Sequence, residues 1–207
     1  VAPAAIQSIE RINMSASGTS LKMGLLDVLG LSEKNNPFNT ATGWTATSTG
    51  GATNWDAVNN GAQVVVDGTN TNDLYLSGVW QSIGLVTNNG KTYKVLSDLT
   101  GASAQVLVDS NVKVHMAPTV ITTANELAGS LNLTEANSTG GTDVRINLVD
   151  TDAADGMTIR LNWGGQTVSL TLTAADITNG YATLPLTTTQ LTAETPAGNS
   201  ENVAASV

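Results

Sequence analysis

The sequence predicts an all-β protein made of two tandem β-sandwich modules, and three observations support this fold class. Residues that favour strands (Thr, Val) or turns (Asn, Gly) are abundant, whereas charged residues make up only 12% of the 207 residues. Short alternating apolar segments recur between turn signals along the whole chain. Pro118 separates two such patterns, because proline has no amide hydrogen to donate to a β-ladder.

The stretch from Lys113 to Thr122 predicts the boundary between the modules. Val114 and Met116 alternate with polar residues, and a β-favouring run begins again directly after the proline. We therefore expect domains at 1–116 and 117–207. A joint this short gives a semi-rigid connection, unlike a Gly/Ser-rich linker.

The first module is expected to contain one short helix and two hairpins. The helix is predicted over Leu21 to Leu31, where apolar residues fall on one face at helical spacing. Between Gln63 and Trp80, two strand-like segments flank an acidic, amide-rich turn, which indicates a hairpin. A second hairpin is predicted at Asn89-Gly90, since this dipeptide favours a type I′ turn.

The segment from Asn35 to Asn60 is long, irregular and rich in Asn, Thr and Gly, and it carries Trp44 and Trp55. Irregular segments of this length are uncommon in compact domains. Two interpretations are open: a functional loop, or a segment whose aromatic side chains cover the core. The second is favoured, because scarce aromatic residues are most often buried.

The second module reads as a series of short strands, which is typical of a β-sandwich. They are predicted at Val144 to Val149, Met157 to Trp163, Gln166 to Thr173, Tyr181 to Pro185 and Val203 to Val207. Gly164-Gly165 between two of them indicates a two-residue hairpin turn.

Composition excludes several classes of function. The net charge of -9 disfavours nucleic acid and anionic membranes as partners. The absence of cysteine excludes disulfides and thiolate chemistry. No apolar run reaches membrane-spanning length, so membrane insertion is not expected. No signal peptide is visible and the chain begins with Val1, which we interpret as an excised fragment.

Parts of the first module resemble a module of giant repetitive bacterial adhesins of the RTX, biofilm-associated type. The similar pieces are Ile9 to Asn13, Leu21 to Leu31, Val66-Asp67-Gly68, Leu76, Trp80, Tyr93-Lys94-Val95 and Leu107-Val108-Asp109. The second module is similar to the bacterial Ig-like extender repeats of the same adhesins. Its matching pieces are Ala117 to Val120, Asn125 to Gly129, Val168 to Asp176 with Ile177 and Gly180, and Gly198-Asn199.

The resemblance implies a non-enzymatic extender region of a protein exported by type I secretion to the bacterial cell surface. It further implies a role in cell adhesion or biofilm formation, calcium as a stiffening ion, and neighbouring repeats of the same chain as partners. We expect a monomer. The alternative is a ligand-binding module that recognises a host or surface glycan, peptide or protein through residues 35–60.

Seven acidic residues are candidate calcium ligands, because calcium takes six to eight oxygen ligands from carboxylates and carbonyls. Asp150, Asp152 and Asp155 form the densest cluster, before a Gly turn. Glu126 lies shortly after the junction and could join them. Asp67, Asp73 and Asp109 are the candidates in the first module. The competing interpretation is the same throughout: Asp is an ordinary turn residue, and Glu126 an ordinary surface residue.

Catalytic chemistry is not expected. His115 is the single histidine and lies in a predicted strand, where a structural role is usual. No Ser-His-Asp set, phosphate-binding loop or zinc spacing is recognisable.

Overall fold

The computed structural model describes residues 9–32, 36–53, 55, 61–123, 141–163, 166–192 and 204–206. The protein is mostly β, which confirms the all-β class. It divides into two compact units, Val1–Met116 and Ala117–Val207.

Nine strands and one α-helix are described in the first unit. In chain order they are β1 (Arg11–Asn13), β2 (Ser20–Gly24), α1 (Leu25–Leu31), β3 (Thr45–Ala46), β4 (Ala62–Asp67), β5 (Asp73–Ser77), β6 (Trp80–Asn88), β7 (Lys91–Asp98), β8 (Ala104–Asp109) and β9 (Lys113–Met116). A 3₁₀ turn, Thr40–Thr42, precedes β3.

Parallel pairing organises the first unit. One sheet has the order β1-β4-β8-β7-β6-β3, in which β1, β4 and β8 are parallel, and the other sheet is β2-β5-β9, parallel throughout. Each parallel strand of the first sheet is followed, after a turn, by a strand of the second sheet. The expected hairpin between Gln63 and Trp80 is therefore wrong, because β4 and β5 belong to different sheets. Each such connection is a β-arch, a turn that joins two strands of different sheets. It occurs three times, from β1 to β2, from β4 to β5 and from β8 to β9.

Strand β4 is buried along its whole length, which explains the apolar run from Val64 to Val66 within it. Val64 and Val66 belong to a core shared with the second sheet. Val65 belongs to a separate core with Trp44 and Trp55. The first sheet is thus covered on one face by the second sheet and on the other by the segment that contains these tryptophans.

Helix α1 begins at Leu25, four residues later than the sequence predicts. Leu21 and Met23 pack on the core while Lys22 between them is exposed, so this segment alternates as a strand. It pairs with β5 at a point of close approach, where a Cβ on Gly24 would lie 2.6 Å from the Ser77 hydroxyl. Asp27 accepts a hydrogen bond from the Gly24 amide at the helix start.

The second hairpin is confirmed. Strands β6 and β7 are antiparallel, with Asn88 opposite Lys91, and both residues between them have positive φ, 49° at Asn89 and 76° at Gly90. These are the angles that a type I′ turn requires.

The second unit contains two three-stranded antiparallel sheets and two short helices among its described residues. They are β10 (Thr119–Thr123), β11 (Thr142–Asn147), β12 (Thr158–Trp163), β13 (Gln166–Thr171), α2 (Ala174–Asn179), β14 (Tyr181–Leu186), α3 (Thr188–Thr192) and β15 (Ala204–Ser206). The sheet orders are β10-β11-β14 and β13-β12-β15.

Apolar side chains from both sheets of this unit form one core. The five predicted strands are confirmed with small shifts at their ends. The largest difference follows β13, where Thr173 is the N-cap of helix α2: its hydroxyl accepts from the Asp176 amide, and the Asp176 carboxylate accepts from the Thr173 amide. Residues 164–165 lie outside the described residues, but Trp163 and Gln166 on either side are paired.

Candidate functional site

The densest group of charged side chains described lies where β4 and β8 end. Asp67 and Asp109 are the last residues of these two neighbouring parallel strands. The Lys91 Nζ lies between them, 3.4 Å from Asp67 Oδ1 and 3.5 Å from Asp109 Oδ2. Two of the predicted calcium ligands are thus brought together, but the group between them is an ammonium.

Asp67 has further partners from β1 and β7. Both the Nε and a terminal nitrogen of Arg11 donate to its carboxylate, the latter at 3.1 Å. The Tyr93 hydroxyl donates to Oδ1 at 2.8 Å and itself accepts from Arg11 at 3.0 Å. We call Arg11, Asp67, Lys91, Tyr93 and Asp109 the charged cluster.

Burial and hydrogen bonding act in opposite directions on Asp67. Burial of the carboxyl raises its pKa, but donation from Arg11 and Tyr93, with the positive charges of Arg11 and Lys91, outweighs this and leaves the pKa lowered. Burial and the Asp67 carboxylate raise the pKa of Tyr93 far above its ordinary value. The site therefore holds an ionised aspartate beside a neutral phenol.

Asp109 is oriented by the turn that follows it. Its Oδ1 accepts from the Asn111 amide at 3.1 Å and from the Asn111 Nδ2 at 2.9 Å. Its Oδ2 is the oxygen that faces Lys91. The Asp109 side chain is almost completely buried.

Asp73, the third candidate in the first module, lies on the second sheet, apart from β4 and β8. Its Oδ1 is 3.0 Å from Nε2 of His115, on the neighbouring strand β9. The His115 ring stacks on Tyr75 at 4.3 Å, and Lys22 lies over the Tyr75 ring. This row of side chains on the outer face of the sheet gives the single histidine a structural setting.

Asp150, Asp152 and Asp155 lie in the loop between β11 and β12, where Asp150 has a positive φ of 59°. Within the described ranges, no three carboxylate or imidazole side chains are grouped so as to hold a metal ion. Glu126 lies outside those ranges. Calcium binding stays a prediction for this loop.

The aromatic residues of the irregular segment are buried. Trp44 is 2% exposed and Trp55 3% exposed, and both belong to the core that contains Val65, Val86 and Leu107. Phe38 meets the edge of Trp44, and Trp44 also contacts Tyr93. The expectation that this segment covers the core is confirmed for its described residues.

Sequence analysis did not identify Arg11, Lys91 and Tyr93 as members of this cluster. The sequence nevertheless contains a short repeat whose two copies end at Asp67 and Asp109. Residues 62–67 read Ala-Gln-Val-Val-Val-Asp and residues 104–109 read Ala-Gln-Val-Leu-Val-Asp. These near-identical hexapeptides pair in exact register as parallel strands, and Gln63 donates to Gln105 at 2.8 Å. Recognition of this repeat would have placed Asp67 beside Asp109.

A scan of family models, a search of curated proteins and a search of solved structures found no match to this chain. The fold defines the class only as a mostly β protein with two units, and the resemblance to adhesin modules stays a prediction. Among the described residues, no helix has the length and apolar character needed to cross a membrane.

Proposed function

We propose that the chain is a non-enzymatic structural region of a large bacterial surface adhesin, an extender that acts in cell adhesion or biofilm formation. The burial of Trp44 and Trp55 carries this proposal. A glycan-binding loop would expose aromatic rings for stacking on sugars, whereas these two rings pack on the first sheet.

The charged cluster supports the same function. Its five side chains are partners of one another across β1, β4, β7 and β8, so loss of one would leave a buried aspartate short of a partner. Buried charges that are paired and hydrogen-bonded in this way are costly to separate. Such an arrangement suits a module that must keep its shape under load.

Two experiments test the proposal. Antibodies raised against the purified chain should label intact cells of the source bacterium without permeabilisation, as surface exposure requires. The purified chain should bind no component of a glycan array or of a panel of extracellular-matrix proteins. Saturable binding that also changes the fluorescence of the buried tryptophans would instead establish the ligand-binding alternative, and labelling only after permeabilisation would exclude a surface protein.

We also propose calcium as a stabilising ion at the loop that carries Asp150, Asp152 and Asp155, with Glu126 as a further ligand. The supporting observation is the concentration of carboxylates in one loop between two strands of the same core. An ion that binds only the folded state raises the melting temperature by mass action.

The calcium proposal is tested by thermal melting with millimolar calcium and with excess chelator. We expect a higher melting temperature with calcium, and loss of that difference when Asp152 and Asp155 are both changed to Asn. Asp143→Asn, an exposed aspartate on β11, is the matched control and should retain the difference. Equal melting temperatures of the unaltered chain in calcium and in chelator would remove calcium from the proposal.

A further inference from the structure

The half-exposed Lys91 side chain places its amine between two carboxyl groups. Its Nζ is 3.5 Å from Asp109 Oδ2 and 3.4 Å from Asp67 Oδ1. Both aspartate side chains are nine-tenths or more buried, and the phenol of the fully buried Tyr93 closes the group beside them. β7 and β8, which carry the amine and one of the carboxyl groups, are neighbouring strands.

The geometry points to a covalent modification site: an intramolecular amide bond between the side chains of Lys91 and Asp109. The inference concerns the chemistry of this cluster and does not depend on the proposed surface function. Fixed proximity favours such a reaction, because it gives the amine a very high effective concentration at the carboxyl group.

The reaction balances without a co-reactant. The Lys91 ammonium gives a proton to solvent water, which its half-exposed side chain contacts, and the Nζ lone pair attacks Cγ of Asp109. The Cγ–Nζ bond forms and the Cγ–Oδ2 bond breaks. Oδ2 leaves as water with two protons, equal in number to those that the ammonium loses, one of them returned by solvent. Nothing is oxidised or reduced.

The two carboxyl groups differ in ways that assign their roles. Oδ1 of Asp109 accepts two hydrogen bonds from Asn111, and these donors would stabilise the negative charge that develops on that oxygen during attack. Asp109 Oδ2 is the atom directed at the amine. Asp67 is held in place as a carboxylate by Arg11 and Tyr93, which suits it to position the Lys91 amine beside Asp109.

Mass spectrometry of the purified full chain tests the inference. After prolonged incubation at physiological temperature, we expect an intact mass lower than the sequence mass by one water molecule. Trypsin should then fail to cleave after Lys91, and the peptide that contains Lys91 should be joined to the peptide 95–113. A folded chain that keeps its full sequence mass, with normal cleavage after Lys91, would overturn the inference.

Variants assign the bond. Lys91→Arg keeps a cation between the carboxylates but cannot form the amide, so it should show the full mass, whereas Lys94→Arg on the same strand should still lose water. Asp109→Asn should lose ammonia in place of water, because the same attack then expels the amide nitrogen. Continued loss of water by Asp109→Asn would show that Asp109 is not the acceptor and overturn the assignment. Circular dichroism establishes that each variant is folded.

Discussion

The hydroxyl of Tyr93 donates a 2.8 Å hydrogen bond to Oδ1 of Asp67, and this bond joins two strands that are not neighbours. Tyr93 lies on β7 and Asp67 on β4, with β8 between them in the sheet. The bond therefore connects the antiparallel hairpin to the parallel part of the sheet. Because Arg11 on β1 also donates to both groups, side chains from three strands of one sheet meet at this point.

Replacement of Asp67 by Asn should destabilise the first unit and change its response to acid. The Asn side chain keeps the shape but loses the charge that Arg11 and Lys91 contact, and a buried hydrogen bond to a charged group contributes about 1.5–3 kcal/mol. The folded-state pKa of Asp67 is lowered, so its stabilising contribution is complete above the ordinary pKa of about 4 and is lost as the pH falls further.

Urea unfolding between about pH 6 and about pH 3 measures this contribution. The unaltered chain should lose stability more steeply toward low pH than Asp67→Asn does. Glu10→Gln, in the same unit, is the control and should follow the unaltered chain. Parallel curves for the unaltered chain and Asp67→Asn would show that Asp67 is not ionised preferentially in the folded state.

Removal of the Tyr93 hydroxyl should lower the free energy of unfolding, although phenylalanine keeps the aromatic ring. In Tyr93→Phe, Asp67 loses a donor and Arg11 loses an acceptor at a buried position. We expect a loss of about 1.5–3 kcal/mol in the free energy of unfolding. Tyr75→Phe is the matched control: this ring is 37% exposed, and its loss of a hydroxyl should cost less than about 0.5 kcal/mol. Equal effects of the two substitutions would contradict the bridging role of Tyr93.

Tyr93 should also remain un-ionised in alkaline solution. Its folded-state pKa is raised, so its contribution to stability is complete below the ordinary tyrosine pKa of about 10 and is lost only as the pH rises through the folded-state value. Ultraviolet absorbance measures the phenolate. Relative to Tyr93→Phe, the unaltered chain should show its extra phenolate only when the first unit unfolds, and an extra phenolate in the folded chain would contradict this.

The sequence predicted individual strands well, and it failed where the partner of a strand had to be chosen. Alternation identified β11 to β14, because one side of each strand faces a core and the other faces solvent. It could not decide between a hairpin and an arch after Asp67, since both connect two strands through a polar turn. The connection depends on the burial of β4 on both faces. One face is covered by the second sheet and the other by the segment that contains Trp44 and Trp55, and local sequence spacing shows neither.

The candidate site shows the same limit. The aspartates were found because Asp residues at strand ends are visible in the sequence, and a role as calcium ligands or turn residues was inferred from them alone. Arg11 and Lys91 lie 80 residues apart in sequence, so their convergence on Asp67 depends on the parallel register between β1 and β4 and on the hairpin. Long-range register of this kind is not encoded in local spacing.

Tryptophan burial gives a direct test of the layered first unit. Trp44, Trp55 and Trp80 are at most 3% exposed. In a Trp163→Phe background, which leaves only these three emitters, fluorescence should be blue-shifted and weakly quenched by acrylamide. Unfolding in urea should abolish the protection. Efficient quenching of the folded chain would contradict the burial of Trp44 and Trp55 and, with it, the observation that carries the proposed function.

Two glycines of the second unit provide a matched pair for testing its strand pairing. Gly141 and Gly156 have nearly the same positive φ, 82° and 81°. A Cβ on Gly141 would lie 1.9 Å from the carbonyl oxygen of Leu186, whereas a Cβ on Gly156 would meet nothing within 4 Å. Gly141 directly precedes Thr142, which pairs with Leu186 where β11 meets β14.

Alanine at either position must adopt a left-handed conformation, which costs about 1–2 kcal/mol. Gly156→Ala should show that loss alone. Gly141→Ala should lose considerably more, because relief of the backbone clash requires β11 and β14 to separate at this end. Thermal unfolding of the two variants beside the unaltered chain measures the difference. Similar melting temperatures for the two variants would mean that β11 and β14 do not pair in this register.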